Sequence, residues 1–180
     1  MSAGSVTLTE NEETERLYAA LGKTITQWQD VEGALALLFC GTVSPQHYAL
    51  ANTAYHTILS FDAKLGMTHA AILVAHKETP EAVNEWTPLH NRASRRNDRR
   101  NQLAHFGLGV DRTKRHGFRM HLRPNIMDMR ASRRWGQQFP RLNICQIIAS
   151  GNAFEKLAEQ LRQFYVKWPL APLAPPGSSG

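Results

Sequence analysis

Apolar side chains return every three or four positions through Leu17, Leu21, Ile25, Trp28, Val31, Leu35 and Leu38. That spacing lays one stripe along a 3.6-residue helix and predicts a long first helix. Thr9 supplies its N-cap, and Glu10, Glu12 and Glu13 fall in the first turn, where the helix dipole favours acids. Gly41 marks its end. Proline suits a first helical position, so Ser44-Pro45 starts a second helix, running to about Thr57 with Tyr48, Ala51 and Tyr55 turned inward. Ser60 caps a third, with Phe61, Leu65, Thr68, Ile72 and Ala75 at helical spacing. Thr79-Pro80-Glu81 opens a fourth, through Val83, Trp86, Leu89 and Ala93 to about His105.

The period then changes. Phe106-Gly107-Leu108-Gly109-Val110 alternates, Asp111 to Gly117 is turn-like, and Phe118-Arg119-Met120-His121-Leu122 alternates again, which predicts a β-hairpin with a long turn. Residues 123–142 have no clear period and read as loop. Asn143 caps a last helix, whose core face is Ile147, Ile148, Phe154, Leu157, Leu161, Phe164 and Tyr165, and which Pro169 ends. The expected architecture is all-α: a bundle of about five helices with a small β-hairpin inserted before the last one. Residues 1–169 read as one domain with a basic hairpin insert at about 106–142, and residues 170–180 as a mobile Pro/Ala/Gly/Ser-rich tail.

Composition narrows the class. The 180 residues suit one ordinary globular domain, no apolar run reaches membrane-spanning length, and the polar start has no signal-peptide pattern. Cys40 and Cys145 lie far apart in apolar helical contexts and read as buried thiols of a cytoplasmic protein. The eight histidines are scattered with no cysteine pair beside them, so neither a metal site nor a cofactor is expected. The net charge of +6 hides an asymmetry: residues 92–141 hold thirteen arginines and Lys114 against Asp98, Asp111 and Asp128, a local +11 against −5 elsewhere. Arginine forks onto phosphate oxygens where lysine is a point charge, so this segment points to a polyanion, nucleic acid above all. The bland alternative is a solvated surface in a genome rich in arginine codons. Within the segment, His116 and His121 lie in the hairpin, where a polyanion could touch them.

One run concentrates the chemistry: Arg99-Arg100-Asn101-Gln102-Leu103-Ala104-His105. Arginine binds and stabilises phosphate charge, histidine moves protons near neutral pH, and an amide beside the arginine can orient either group or the substrate. On an ideal helix Arg100 and His105 lie about 140° apart, so they do not pair closely within one copy unless the helix end tightens. A two-fold dimer, bringing two such helix ends to one cleft, would solve this.

With Arg100-Asn101-Gln102-Leu103-Ala104-His105 ending the fourth helix, Trp28-Gln29-Asp30-Val31-Glu32 in a long first helix, and a short extended segment before the final helix, the chain resembles the HEPN superfamily. These are helical bundles with an Rx4-6H signature, many of them metal-independent endoribonucleases of toxin–antitoxin and antiviral systems. The resemblance implies a homodimer acting on RNA, with an antitoxin or regulatory protein as a further partner. An RNA 2′-hydroxyl would attack the adjacent phosphate, with His105 as general base or acid, Arg100 holding the phosphate and Asn101 orienting an oxygen or the ribose. Arg92, Arg95, Arg96 and Arg99 would contact the RNA backbone, or else form a solvated helix face. Glu32 would position Arg100 from the first helix, or else be a surface acid. The alternative function is a catalytically silent module of the same fold that binds RNA, a nucleotide or an acidic protein. Trp28, Trp86, Trp135 and Trp168 read as core or interface side chains.

Overall fold

Two reciprocal caps fix where the long helices begin. The computed structural model describes residues 9–113, 117–124 and 140–169. In it the Thr9 amide and hydroxyl both donate to the Glu12 carboxylate, at 2.7 and 2.9 Å, and the Glu12 amide donates back to the Thr9 hydroxyl at 3.3 Å. Asn143 and Gln146 repeat the device, each side-chain oxygen accepting from the other's amide at 2.9 and 3.0 Å. The elements that follow are α1 (Glu10–Val43), a 3-10 turn (Pro45–His47), α2 (Tyr48–His56), α3 (Phe61–Ala75), α4 (Pro80–His105), β1 (Gly107–Thr113), β2 (Gly117–Arg123) and α5 (Ile144–Lys167). Among the described residues the fold is therefore all-α, five helices with a small antiparallel hairpin before the last.

The chain divides into two compact units, Met1–Gln27 with Arg99–Ala153, and Trp28–Asp98 with Phe154–Gly180. The second is a helical bundle built from parts of all five helices. Its core is aromatic: Trp28 of α1 packs on Phe61 of α3 and edge-on to Phe154 of α5, with centroids 4.7 and 5.0 Å away, and Trp86 of α4 meets Phe164 of α5 at 5.5 Å. Close approach in this unit requires Gly41, where an added Cβ would lie 2.5 Å from the Tyr165 ring. In the first unit, Leu17, Leu103, Met120, Leu122, Leu142 and Ile147 are buried, and the buried Thr24 hydroxyl donates to the Ile147 carbonyl at 3.1 Å.

The structure corrects several expectations. Winding from Pro45 to His47 is 3-10, α geometry starts only at Tyr48, and Tyr48 is 41% exposed rather than inward. Ile147 and Ile148 are 100° apart on a helix, so only one can face the core; Ile147 does, and Ile148 is 47% exposed. Cys145, two residues before Ile147, faces out and is exposed, whereas Cys40 is buried as expected. The strands reach further into the turn than their alternation suggested, to Thr113 and from Gly117. Leu142 is not loop: it pairs with Leu122 through two 2.9 Å backbone bonds, adding one bridge to the hairpin. α4 continues through the exposed Pro88, where the missing N–H costs one ladder bond on a side open to water. Trp28 and Trp86 are core, as expected. Trp135, His116 and the tail expected at 170–180 lie outside the described residues.

Candidate functional site

Leu103 orients the end of α4. Its side chain is 2% exposed, so the residues about half a turn from it point away from the core. Asn101 and His105 are those residues. They stand one turn apart and about 40° from each other in azimuth, on the face opposite Leu103. Asn101 is half-buried and His105 exposed. Arg100 lies on the flank, half-buried, and its Nη1 donates to Asn101 Oδ1 at 3.1 Å. That bond draws the guanidinium toward the face that carries His105 and leaves the Asn101 amide nitrogen as a donor for something else.

The helix does not tighten at its end. The Phe106 amide donates to the Gln102 carbonyl at 2.9 Å, an α-helical bond, so the backbone keeps Arg100 and His105 about 140° apart. What links them is Asn101, bonded to one and one turn from the other. No hydrogen bond to a described residue occupies the His105 ring. Arg99 sits beside this group, half-buried, its Nη1 donating to Gln102 Oε1 at 2.9 Å.

Arg92, Arg95, Arg96 and Glu32, also singled out from the sequence, belong to the second unit. Arg92 donates to Gln160 Oε1, a neutral partner. Arg95 is exposed and Arg96 half-buried. Between them and the motif, Asn97 is buried and donates from Nδ2 to Asp62 Oδ1 at 2.9 Å. Glu32 is not a solvated surface acid: it is half-buried, accepts from the Trp28 indole at 2.7 Å and pairs with the buried Lys64 ammonium at 3.8 Å. Tryptophan and lysine thus fix both its oxygens within the bundle.

Two groupings escaped sequence reasoning. In the second unit the Trp86 indole donates to His69 Nδ1 at 2.9 Å, and the His69 ring stacks on His90 at 4.3 Å. Burial first, and then the neighbouring His90, lowers the His69 pKa. The spacing Trp86-x3-His90 with an inward Trp86 was the available signal for that stack. In the first unit His121 is buried, because it leans over Gly109, where an added Cβ would lie 2.6 Å from its Nε2. Its Nδ1 faces Asp111 Oδ2 at 3.7 Å, and Arg141 Nη1 bonds the same oxygen at 2.6 Å. The strand register, which places His121 opposite Gly109, and the backbone bridge from Leu142 to Leu122, next to Arg141, bring those residues together.

Among the described residues no three His, Cys, Asp or Glu side chains converge as a metal site, and no helix is long and apolar enough to cross a membrane. A shallow groove of about 350 Å³ in the first unit, lined by Arg16, Ala20, Lys23, Ile144, Ile148 and Asn152 among others, includes none of the motif residues. Compared with protein-family models, curated proteins and solved structures, the chain matches none of them.

Proposed function

We propose that this protein is a metal-independent endoribonuclease of HEPN type, the toxin or effector of a bacterial toxin–antitoxin or anti-phage system. The observation that carries this reading is the Arg100–Asn101 hydrogen bond at the end of α4, on the side of the helix where His105 stands exposed one turn from Asn101. A cation, an amide donor and a proton-transfer group on one exposed helix end match the needs of RNA self-cleavage. The 2′-oxygen forms a bond to the adjacent phosphorus while the bond from phosphorus to the 5′-oxygen breaks. One histidine takes the 2′-hydroxyl proton and another supplies a proton to the leaving 5′-oxygen. Arg100 stabilises the charge that builds on the non-bridging oxygens, and the Asn101 amide donates to one of them.

One α4 end offers a single His105, so the acid and base pair come from two copies meeting about a two-fold axis. The nucleophile is the substrate's own hydroxyl, which makes RNA the substrate and leaves DNA uncut. Arg92, Arg95, Arg96 and Arg99 supply positive charge along the helix that leads to the motif.

The test is incubation of a mixed RNA pool with the purified protein in EDTA, beside His105→Ala prepared identically. Cleavage by the wild type alone supports the proposal. RNA bound but uncut by the folded wild type replaces it with a silent RNA-binding module.

A further inference from the structure

The hairpin has two unlike faces. Directly opposed residues share a face, and the register pairs Gly107 with Arg123, Gly109 with His121 and Asp111 with Arg119. The other face carries Leu108, Val110, Phe118, Met120 and Leu122 with Arg112, whose guanidinium lies over the Phe118 ring at 5.5 Å. The first face is therefore floored by two glycines on β1 and walled by charged and polar side chains on β2.

Three features of that face point to a ligand. His121 is 6% exposed, and its Nε2 has no hydrogen-bond partner among the described residues. A buried polar atom in that condition is costly and calls for a partner. The Arg123 side chain converges on the same place: its Cδ and the His121 ring both come within about 3.0 Å of the point where a Gly109 Cβ would sit. At Gly107, opposite Arg123, an added Cβ would meet nothing within 4 Å among the described residues, so the face is open there. Arg119 and Arg123 are exposed, and the one acid on the face, Asp111, is held by Arg141 at 2.6 Å.

We propose that this glycine-floored face, formed by Gly107, Gly109, Arg119, His121 and Arg123, binds the phosphodiester backbone of a single RNA strand. Arg123 holds one phosphate over Gly107, its side chain lifting off the His121 ring so that Nε2 gives that phosphate a second contact, and Arg119 holds a phosphate further along the strand. The two arginines are four residues apart on β2, about 13 Å, which suits successive contacts along an extended strand. Gly107 follows His105 by two residues, at most about 7 Å of chain, so the strand held here runs on to the α4 end. The assignment of RNA rests on the ribonuclease reading; the phosphate contact does not.

The experiment measures binding without cleavage. A labelled single-stranded RNA decamer, and DNA of the same sequence, are titrated by fluorescence anisotropy against full-length protein carrying His105→Ala, in EDTA and over a range of salt. Adding Arg123→Ala should weaken binding of both strands several-fold and lower the slope of log affinity against log salt by about 0.7, the value for one phosphate contact on a single strand. Gly107→Val keeps every charge and fills the open place; it should weaken binding as well, with a normal melting curve confirming the fold. Arg162→Ala, which removes a cation paired with Asp30 on α5, should change neither. Unchanged affinity and slope in Arg123→Ala, or equal losses in Arg162→Ala, would overturn the proposal. Intact wild type that cuts RNA while Arg123→Ala binds it normally removes the hairpin site and leaves the nuclease standing. Arg123-dependent binding without cleavage by the wild type does the reverse.

Discussion

Replacing Asn101 by alanine separates the chemistry of the site from the stability of the fold. Asn101 lies opposite the buried Leu103, so its side chain is not part of the core, and its Oδ1 accepts the 3.1 Å bond from Arg100 Nη1. A hydrogen bond to a charged group contributes about 1.5–3 kcal/mol, and half-exposure puts this one at the low end. Losing about 1.5 kcal/mol of guanidinium positioning in the transition state corresponds to about a tenfold fall in kcat/KM. Alanine is also the better helix former, by about half a kcal/mol, which offsets part of the lost bond, so Tm should fall by no more than about 2–4 °C. Asn101→Asp keeps the acceptor but sets a negative charge beside the phosphate, and it should cost more than Asn101→Ala. The assay is initial cleavage rate of a labelled RNA below KM, with a melting curve for each variant. Wild-type kcat/KM in both variants would refute the argument that Asn101 connects Arg100 to His105.

Other outcomes follow from burial and packing. Burial holds the His69 and His76 pKa values below the ordinary histidine range, with His90 adding to the effect at His69. The unfolded chain takes up those protons near pH 6.5 and the folded one resists, so stability is full above that pH and is lost as pH falls toward the folded values. Tm should drop below about pH 6.5, and His76→Phe, placed between the Phe164 and Trp168 rings, should flatten the drop; parallel curves would contradict it. A thiol reagent should label Cys145 at once and Cys40 only on unfolding, because Cys40 is buried and burial pushes its thiol up; two fast thiols would contradict this. Gly41→Ala drives a methyl into the Tyr165 ring and should cost about 1–3 kcal/mol in denaturant melts.

Much of this architecture was legible because it rests on period. The stripe from Leu17 to Leu38, the Ser60 cap and the Asn143 start each follow from local spacing, and each is where the residues put it. What failed had a tertiary cause. Tyr48 and Ile148 fit a helical period as well as their neighbours do, yet only the packed partner decides which apolar residue is covered. The bridge from Leu122 to Leu142 spans a segment with no period of its own. At the site, the Arg100–Asn101–His105 run was visible as a motif, but the bond that ties Asn101 to Arg100 is a rotamer choice that spacing does not specify. Similarly, Glu32 reads as a surface acid until Trp28 and Lys64 close around it, and the burial of His121 needs the glycine that the strand register sets opposite it.

The central claim is that the end of α4 activates an RNA 2′-hydroxyl through His105. The most direct test is cleavage of a short RNA of defined sequence in EDTA, compared with the same strand carrying one 2′-deoxy residue at the cut position and with His105→Ala on the unmodified strand. The account predicts 2′,3′-cyclic phosphate and 5′-hydroxyl ends from the wild type, no cut at the deoxy position, and no cleavage by His105→Ala. Cleavage at the deoxy position, or wild-type rates from His105→Ala, would contradict it.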